Sequence, residues 1–461
     1  MKSYSATIVF ILSLVPLIGN DRPNVLFIPI DDLNSWVGHL GGHPQALTPN
    51  IDRLAKRGVS FTKAYCNAPL CNPSRVSLFT GLLPSNTGVY GNGEMMRDKV
   101  PDAVTLMQYL RAEGGYTVQG GGKTFHGSSL NDPKSWDYYN QPNRNRRIRG
   151  ERDAYLPEEA WAPWGPLDVE ESELFDVKNV DWAIAELGKS HDKPFFIACG
   201  FTKPHMPWYA PRKYFDLHPI DDIVLPDTLD NDRDDLPYWG KRFAMEVHDV
   251  SGARNFATHG EDHDMVTKHK QWPRAVQSYL ATISYVDAHV GRLLDALDQS
   301  EYGDNTIVVL WGDHGWHLGE KQHWRKHALW EVTTKTTLVI AGPEDVAKNQ
   351  LCKKPVSLVD LYPTLLDLCG LPSRDGLDGK SLVPLLKSPE MEWERPVLMT
   401  FGYENHAIRT DRWRYIRYNN GGEELYDHDS DPNEWKNLAS NAEYRPLMDM
   451  LKRSLPTTNV R

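Results

Sequence analysis

The chain predicts an α/β protein, and three observations carry that prediction. Short apolar runs begin at Asn24, Tyr116, Pro194 and Thr306, with the length and branched bulk of strands buried on both faces. Val276, Leu280, Ile283, Val286, Val290, Leu293 and Leu297 fall on one face of a helix over 274–299, and a second helical period runs over 104–113. Each apolar run closes within a few residues of an Asp, Lys or His. In a doubly wound sheet the carboxyl ends of the strands share one edge, so these groups would converge there.

At 461 residues the chain exceeds one hydrophobic core, which implies a large domain with a smaller one beside it. A formal net charge of −11 argues against nucleic-acid binding, yet leaves room for a locally basic pocket. Residues 1–19 carry Lys2 and an apolar run from Ile8 to Ile18, too short to span a bilayer. They read as a signal peptide, hence a periplasmic or secreted product without a stable membrane span. The polar stretch Lys387–Arg395 divides a domain over 20–385 from one over 386–461. Of the five cysteines, Cys352 and Cys369 could pair.

In chain order, Asn24–Ile30 is a strand that ends abruptly in Asp31 and Asp32, and adjacent carboxylates after a fully apolar strand read as a hard-cation site. A helix opens at Thr48-Pro49 and runs to Arg57. In Tyr65–Gly81, Pro73 occupies a first helical turn, so Cys71 lies at a helix N-terminus. Free backbone N–H groups there, with Arg75 one turn on, predict an acidic, reactive thiol. A strand over Tyr116–Gln119 feeds Gly120-Gly-Gly-Lys123-Thr-Phe-His126, where a glycine run suggests close approach to an anion. Five arginines in 142–152 read as a solvated loop, and Trp136, Tyr138, Tyr139, Trp161 and Trp164 either pack it down or stack on sugar rings.

The strand Pro194–Gly200 leads to Lys203-Pro-His205, and the acidic, aperiodic stretch Asp221–Asp264 reads as an excursion or exposed loop. Thr306–Trp311 leads to Gly312-Asp313-His314. His317, His323, Lys326 and His327 precede the strand Leu338–Ala341, and His317 and His323 read as pocket-lining or solvated. Alternation in Val397–Tyr403 and Ala407–Tyr418 predicts antiparallel strands, followed by a helix over Ala442–Leu455.

Cys71-x-Pro73-Ser74-Arg75, followed by Leu78-Phe-Thr-Gly81, closely resembles the signature of the type I sulfatases. The resemblance implies that Cys71 is oxidised by a formylglycine-generating maturation enzyme, and that the hydrated aldehyde is the nucleophile. A geminal diol suits this chemistry, because one hydroxyl attacks the ester and deprotonating the other expels sulfate, so no stable sulfated enzyme remains. Lys123-x-x-His126 resembles the family's Gly-Lys-x-His element with one extra residue, as in the iduronate-2-sulfatase-like branch. Lys203-Pro-His205 resembles its Lys-Pro-His element, Lys326 before Leu329-Trp-Glu331 its second sulfate-binding lysine, and Glu424–Leu438 its closing motif.

The implied fold is an alkaline-phosphatase-like doubly wound mixed sheet flanked by helices, with a smaller C-terminal antiparallel sheet plus helix. The implied cation is Ca2+, with Mg2+ as the other candidate, held by Asp31, Asp32, Asp313, His314 and the converted Cys71. Arg75 would orient the diol, Lys123 and Lys326 grip sulfate, His205 protonate the leaving oxygen and His126 deprotonate the second hydroxyl. The implied activity is sulfuric ester hydrolysis on a sulfated carbohydrate, of the 2-O-sulfated uronic acid kind. A phosphodiesterase or phosphonate monoester hydrolase, a choline-sulfatase-like enzyme, and a non-catalytic polyanion-binding protein with unconverted Cys71 are the rival readings.

Overall fold

Strand β1, Asn24–Asp31, is buried along its whole length, and its alternate side chains enter two different cores. Leu26, Ile28 and Ile30 face one layer of helices, and Val25 and Phe27 face the other. This is why the run is apolar at every position rather than at every second one. The computed structural model describes residues 22–142, 164–245, 261–343 and 346–461.

Seven further strands join β1 in one sheet: β2 Gly58–Phe61, β3 Thr117–Gly122, β4 Tyr138–Asn140, β5 Phe195–Pro204, β6 Thr306–Gly312, β7 Leu338–Ala341 and β8 Gln350–Cys352. Their spatial order is β8-β2-β7-β6-β1-β5-β3-β4. Within this sheet only β7 runs antiparallel to its neighbours, β2 and β6. The carboxyl ends of β1, β3, β5 and β6 therefore lie on one edge, as the sequence predicts.

Helices α1 Pro49–Arg57, α4 Phe175–Leu187 and α5 Trp272–Gln299 cover the first face, and α2 Cys71–Thr80, α3 Leu106–Gly114 and α6 Leu361–Leu368 the second. The apolar stripe of α5 is buried from Val276 to Leu297, where each buried Leu or Val contributes roughly 2 kcal/mol. Thr105 starts α3 with a capping box closed by Gln108.

Two strands run further than the sequence predicts. β3 continues through Gly120–Gly122 because the missing side chains admit neighbours. A Cβ on Gly120 would lie 2.6 Å from the Trp136 ring, and one on Gly121 2.3 Å from Asn179 Oδ1. The glycine run thus serves packing on the sheet. β5 continues to Pro204, and a Cβ on its Gly200 would lie 2.4 Å from the backbone carbon of Lys123.

The C-terminal sheet is a meander of β9 Val397–Thr400, β10 His406–Arg409, β11 Trp413–Arg417 and β12 Glu423–Asp427. The predicted run Ala407–Tyr418 is a hairpin, folded at 410–412 so that Arg409 pairs with Arg414. Met399, Ala407, Ile416 and Tyr426 pack on Tyr65, Leu329 and Trp330. Ile408, Tyr415 and Leu425 pack on α7, Arg445–Lys452, which is shorter than the predicted 442–455.

All five cysteines are free thiols, so Cys352 and Cys369 do not pair. Trp164 stacks on Trp208 at 5.7 Å and Trp136 packs against Tyr139 at 5.2 Å, which makes them packing residues, while Tyr138 is exposed. The arginine run 143–152, Trp161, the 1–19 segment and 246–260 of the acidic stretch lie outside the described residues. Among the described residues no helix is long and apolar enough to cross a membrane.

Candidate active site

The strand ends deliver their charged groups to one place. Asp31 closes β1, and Asp32 turns into the left-handed region with φ of 59°, a conformation that Asp tolerates better than most residues. Its N–H donates to Asp313 Oδ1 at 2.9 Å, which fixes the end of β1 to the end of β6. Lys123 follows β3 and His205 follows β5. Cys71 is the first residue of α2, and the preceding Leu70 supplies no side-chain cap.

Cys71 Sγ accepts a 2.8 Å hydrogen bond from Lys326 Nζ and lies 3.3 Å from His314 Nε2 and 3.9 Å from Asp32 Oδ1. Lys326 Nζ also donates to Asp32 Oδ1 at 2.7 Å. Lys123 pairs with Asp31, and Arg75 donates to Asp31 Oδ1 at 3.1 Å and to Asp313 Oδ2 at 2.9 Å. The rest of the Arg75 guanidinium reaches the carbonyls of Lys123 and Thr124, under the Trp311 ring. Arg75 is fully buried, and its hydrogen bonds hold carboxylates and the β3 loop in place rather than residue 71. Ser74 Oγ adds a 2.6 Å bond to the Asp313 carbonyl.

The acidic thiol predicted at Cys71 is not what the fold produces. Burial raises its pKa, and the Asp31 carboxylate adds to that, against Lys326 and Lys123. The helix N-terminus and Arg75 were the local signals. Two carboxylates brought in from distant strands, together with complete burial, outweigh them. As a thiol, Cys71 is a poor nucleophile.

Three buried carboxylates share this space unequally. Burial opposes ionisation of Asp31, but Lys123 and its neighbours hold it well below the usual range. Burial raises Asp32 to about 7, with Asp31 and Asp313 adding to the effect against Lys326. Burial holds His314 neutral, down to about 3, and its Nδ1 lies 3.0 Å from the Gly315 carbonyl. That contact leaves the Nε2 lone pair facing Cys71 and Asp32.

A divalent cation fits this donor set. Ligand atoms of Asp31, Asp32, Cys71 and His205 lie within 4.8 Å of one another, as do those of Cys71, Asp313 and His314. Asp32 Oδ2 is buried without a hydrogen-bond partner, which a cation would remedy. His205, absent from the predicted ligands, comes within 3.9 Å of that oxygen through Nε2.

His126 sits beside the cluster with Nδ1 buried and unpartnered. Burial lowers its pKa to about 3, assisted by Lys123 and opposed by Asp31. His323, read from sequence as pocket-lining or solvated, is fully buried, with ring nitrogens 3.0 Å from the Ala244 carbonyl and 2.7 Å from the Lys326 carbonyl. His317 is likewise buried, its ring 4.9 Å from that of His323. Neither is solvated. His323 anchors the backbone of Lys326, and its position three residues earlier carried no signal of that contact.

The family model described as Sulfatase matches residues 23–371, which span every one of these groups. The chain belongs to the sulfatase family. This sulfatase is 37% identical to a sulfatase of Formosa agariphila, over 95% of this chain and 87% of that one. It is 33% identical to the iduronate 2-sulfatase of Homo sapiens over 76% of this chain and 70% of that one. A second family model, N-sulphoglucosamine sulphohydrolase C-terminal, matches residues 319–461. Among solved structures, the phosphonate monoester hydrolase of Agrobacterium radiobacter superposes with a TM-score of 0.76 at 24% identity, covering 94% of each chain, a likeness of fold alone. The sulfatase fold is thus the alkaline-phosphatase-like mixed sheet with a C-terminal antiparallel sheet, and the protein is a sulfuric ester hydrolase.

Proposed function

We propose that this sulfatase removes sulfate from a sulfated carbohydrate, a 2-O-sulfated uronic acid or related sugar of a polysaccharide, in the periplasm or outside the cell. The observation that carries the reaction is the position of Cys71 Sγ, 2.8 Å from Lys326 Nζ and 3.3 Å from His314 Nε2, on the uncapped N-terminus of a buried helix. The sugar and its sulfate position rest on the likeness to the iduronate 2-sulfatase. The compartment rests on the apolar run Ile8–Ile18.

In this reading Cys71 is converted to formylglycine, whose hydrated aldehyde supplies one hydroxyl for attack and a second for release of sulfate. Asp31, Asp32, Asp313, His314 and residue 71 would hold a calcium ion, which would favour the ionised diol and screen the ester's charge. Arg75 keeps Asp31 and Asp313 in register, and so acts on the diol through them. Lys123 and Lys326, whose ammoniums lie on Asp31 and Asp32, grip the sulfate oxygens once those carboxylates are otherwise neutralised. His205, which burial and Lys123 keep neutral in the free site, gains a proton from water as the anionic ester binds and delivers it to the leaving sugar oxygen. His126, kept neutral by burial, accepts the proton of the second hydroxyl.

Two measurements test this reading. Mass spectrometry of the tryptic peptide Ala64–Arg75 distinguishes aldehyde from thiol. Sulfate release is then compared between a 2-O-sulfated uronate disaccharide, 6-O-sulfated glucosamine and choline sulfate, with turnover of an aryl phosphonate measured alongside. Conversion together with preference for the uronate is the expected result, and preference for the phosphonate or choline sulfate overturns the reading.

A further inference from the structure

Lys326 rides on a loop whose backbone is unusual. Lys321, Gln322, Arg325 and His327 have φ of 54°, 50°, 76° and 69°, so within seven residues four non-glycine side chains occupy the left-handed region. Such a conformation persists only where surrounding contacts impose it. Here they come from Asp232 and from residues 414–434 near the C-terminus.

At the neck of the loop, Lys321 is 3% exposed and donates to Asp232 Oδ1 at 2.8 Å and to the carbonyl of Glu434. Its ammonium lies 5.4 Å from the Trp330 ring and 5.2 Å from the Tyr426 ring. Lys321 and Trp330 bracket Lys326 in sequence, so this cation–π contact joins the two ends of the loop. Trp330 is fixed in turn by its Nε1 donating to Glu424 at 2.8 Å, and the Leu329 carbonyl accepts from Arg414 at 2.8 Å. Glu331, His428 and Glu434 lie close enough to hold a cation, but Arg409 and Arg414 are already ion-paired with those carboxylates. The cluster is therefore a charge-balanced joint between the loop and the C-terminal sheet.

We infer that Lys321 is a positioning residue for Lys326: its buried ammonium ties both ends of the strained loop to Asp232 and to the C-terminal sheet, and thereby sets the ammonium of Lys326 for sulfate. The inference rests on the reading of Lys326 as a sulfate-binding lysine. It assigns the C-terminal sheet a part in anion binding although none of the site residues named above lies in that sheet.

The test measures binding of inorganic sulfate by titration calorimetry to the full chain and to Lys321→Met, Lys326→Ala and the double variant, with circular dichroism to verify folding. Lys321→Met is expected to weaken sulfate binding on the order of tenfold, and to have no further effect once Lys326 is Ala. A lysine serving stability alone would lower melting temperature and leave sulfate affinity unchanged, which overturns the inference. Additive losses in the double variant overturn it as well. Should Lys326→Ala bind sulfate like the parent, the reading of Lys326 fails and the inference falls with it. An affected Lys326→Ala beside an unaffected Lys321→Met overturns the inference only. If Lys321→Met does not fold, Asp232→Asn carries the same test, with weaker sulfate binding expected and unchanged binding counting against it.

Discussion

Lys326 Nζ lies 2.7 Å from Asp32 Oδ1 and 2.8 Å from Cys71 Sγ, one ammonium placed between a carboxylate and the sulfur it flanks. Burial works against that charge, yet Asp32, Cys71 and Asp31 raise its pKa, so Lys326 stays protonated over the whole working range. Lys326→Ala is expected to lower kcat/KM by roughly two to three orders of magnitude, as loss of a charge stabilising the transition state does. Its melting temperature should fall only modestly. Steady-state kinetics and a thermal melt check both, and near-parental kcat/KM would remove Lys326 from the mechanism.

The unpartnered Asp32 Oδ2 leads to a second expectation. Protein stripped with chelator should regain activity with calcium, and added calcium should raise its melting temperature. Saturation at a hundredfold excess over Kd corresponds to about 2.7 kcal/mol. A melting temperature indifferent to calcium, magnesium and manganese alike would contradict the cation site.

Gly200 makes the third. A Cβ there would meet the Lys123 carbonyl carbon at 2.4 Å and the Thr124 nitrogen at 2.5 Å, both backbone atoms that cannot swing aside. Gly200→Ala should cost about 1–3 kcal/mol by overpacking. It should also lower kcat/KM beyond that loss of folded protein, since the displaced backbone carries Lys123. A denaturant melt and kinetics on the folded fraction separate the two effects.

The fourth concerns acid stability at a distance from the site. Burial disfavours the charge on Glu423, but Lys452, Tyr415 and Arg445 outweigh it and hold the carboxyl at about 2, against an ordinary value of 4.5. A carboxyl depressed by folding stabilises the native state above its unfolded pKa, and that contribution fades as pH falls toward 2. The gap in melting temperature between the parent and Glu423→Gln should therefore narrow from pH 6 to pH 3. A gap that widens with acidification would contradict the assignment.

What the sequence made legible was whatever a single segment decides. Asp31-Asp32 and Asp313-His314 stand out because fully apolar strands stop dead at them, and the α5 stripe because its period is unbroken over 276–297. What it concealed depends on partners far along the chain. The raised pKa of Cys71 comes from burial and from Asp31, neither of which its own helix reveals. His323 acts on a backbone carbonyl, which no residue type advertises. The hairpin inside 407–418 turns at Thr410, where alternation alone reads straight through. The glycines before Lys123 looked like a cradle for a ligand and prove to be room for Trp136 and Asn179.

The bond from Lys326 to Asp32 spans 294 residues, and the one from Lys321 to Glu434 a further 113-residue separation. A ribosome must therefore deliver the chain as far as Lys326 before β1, among the first segments to emerge, meets its last site partner, and as far as Glu434 before the loop beside it is anchored. Truncation just upstream of Glu434 should therefore leave β1 paired on both sides within the sheet and release only the loop that carries Lys326.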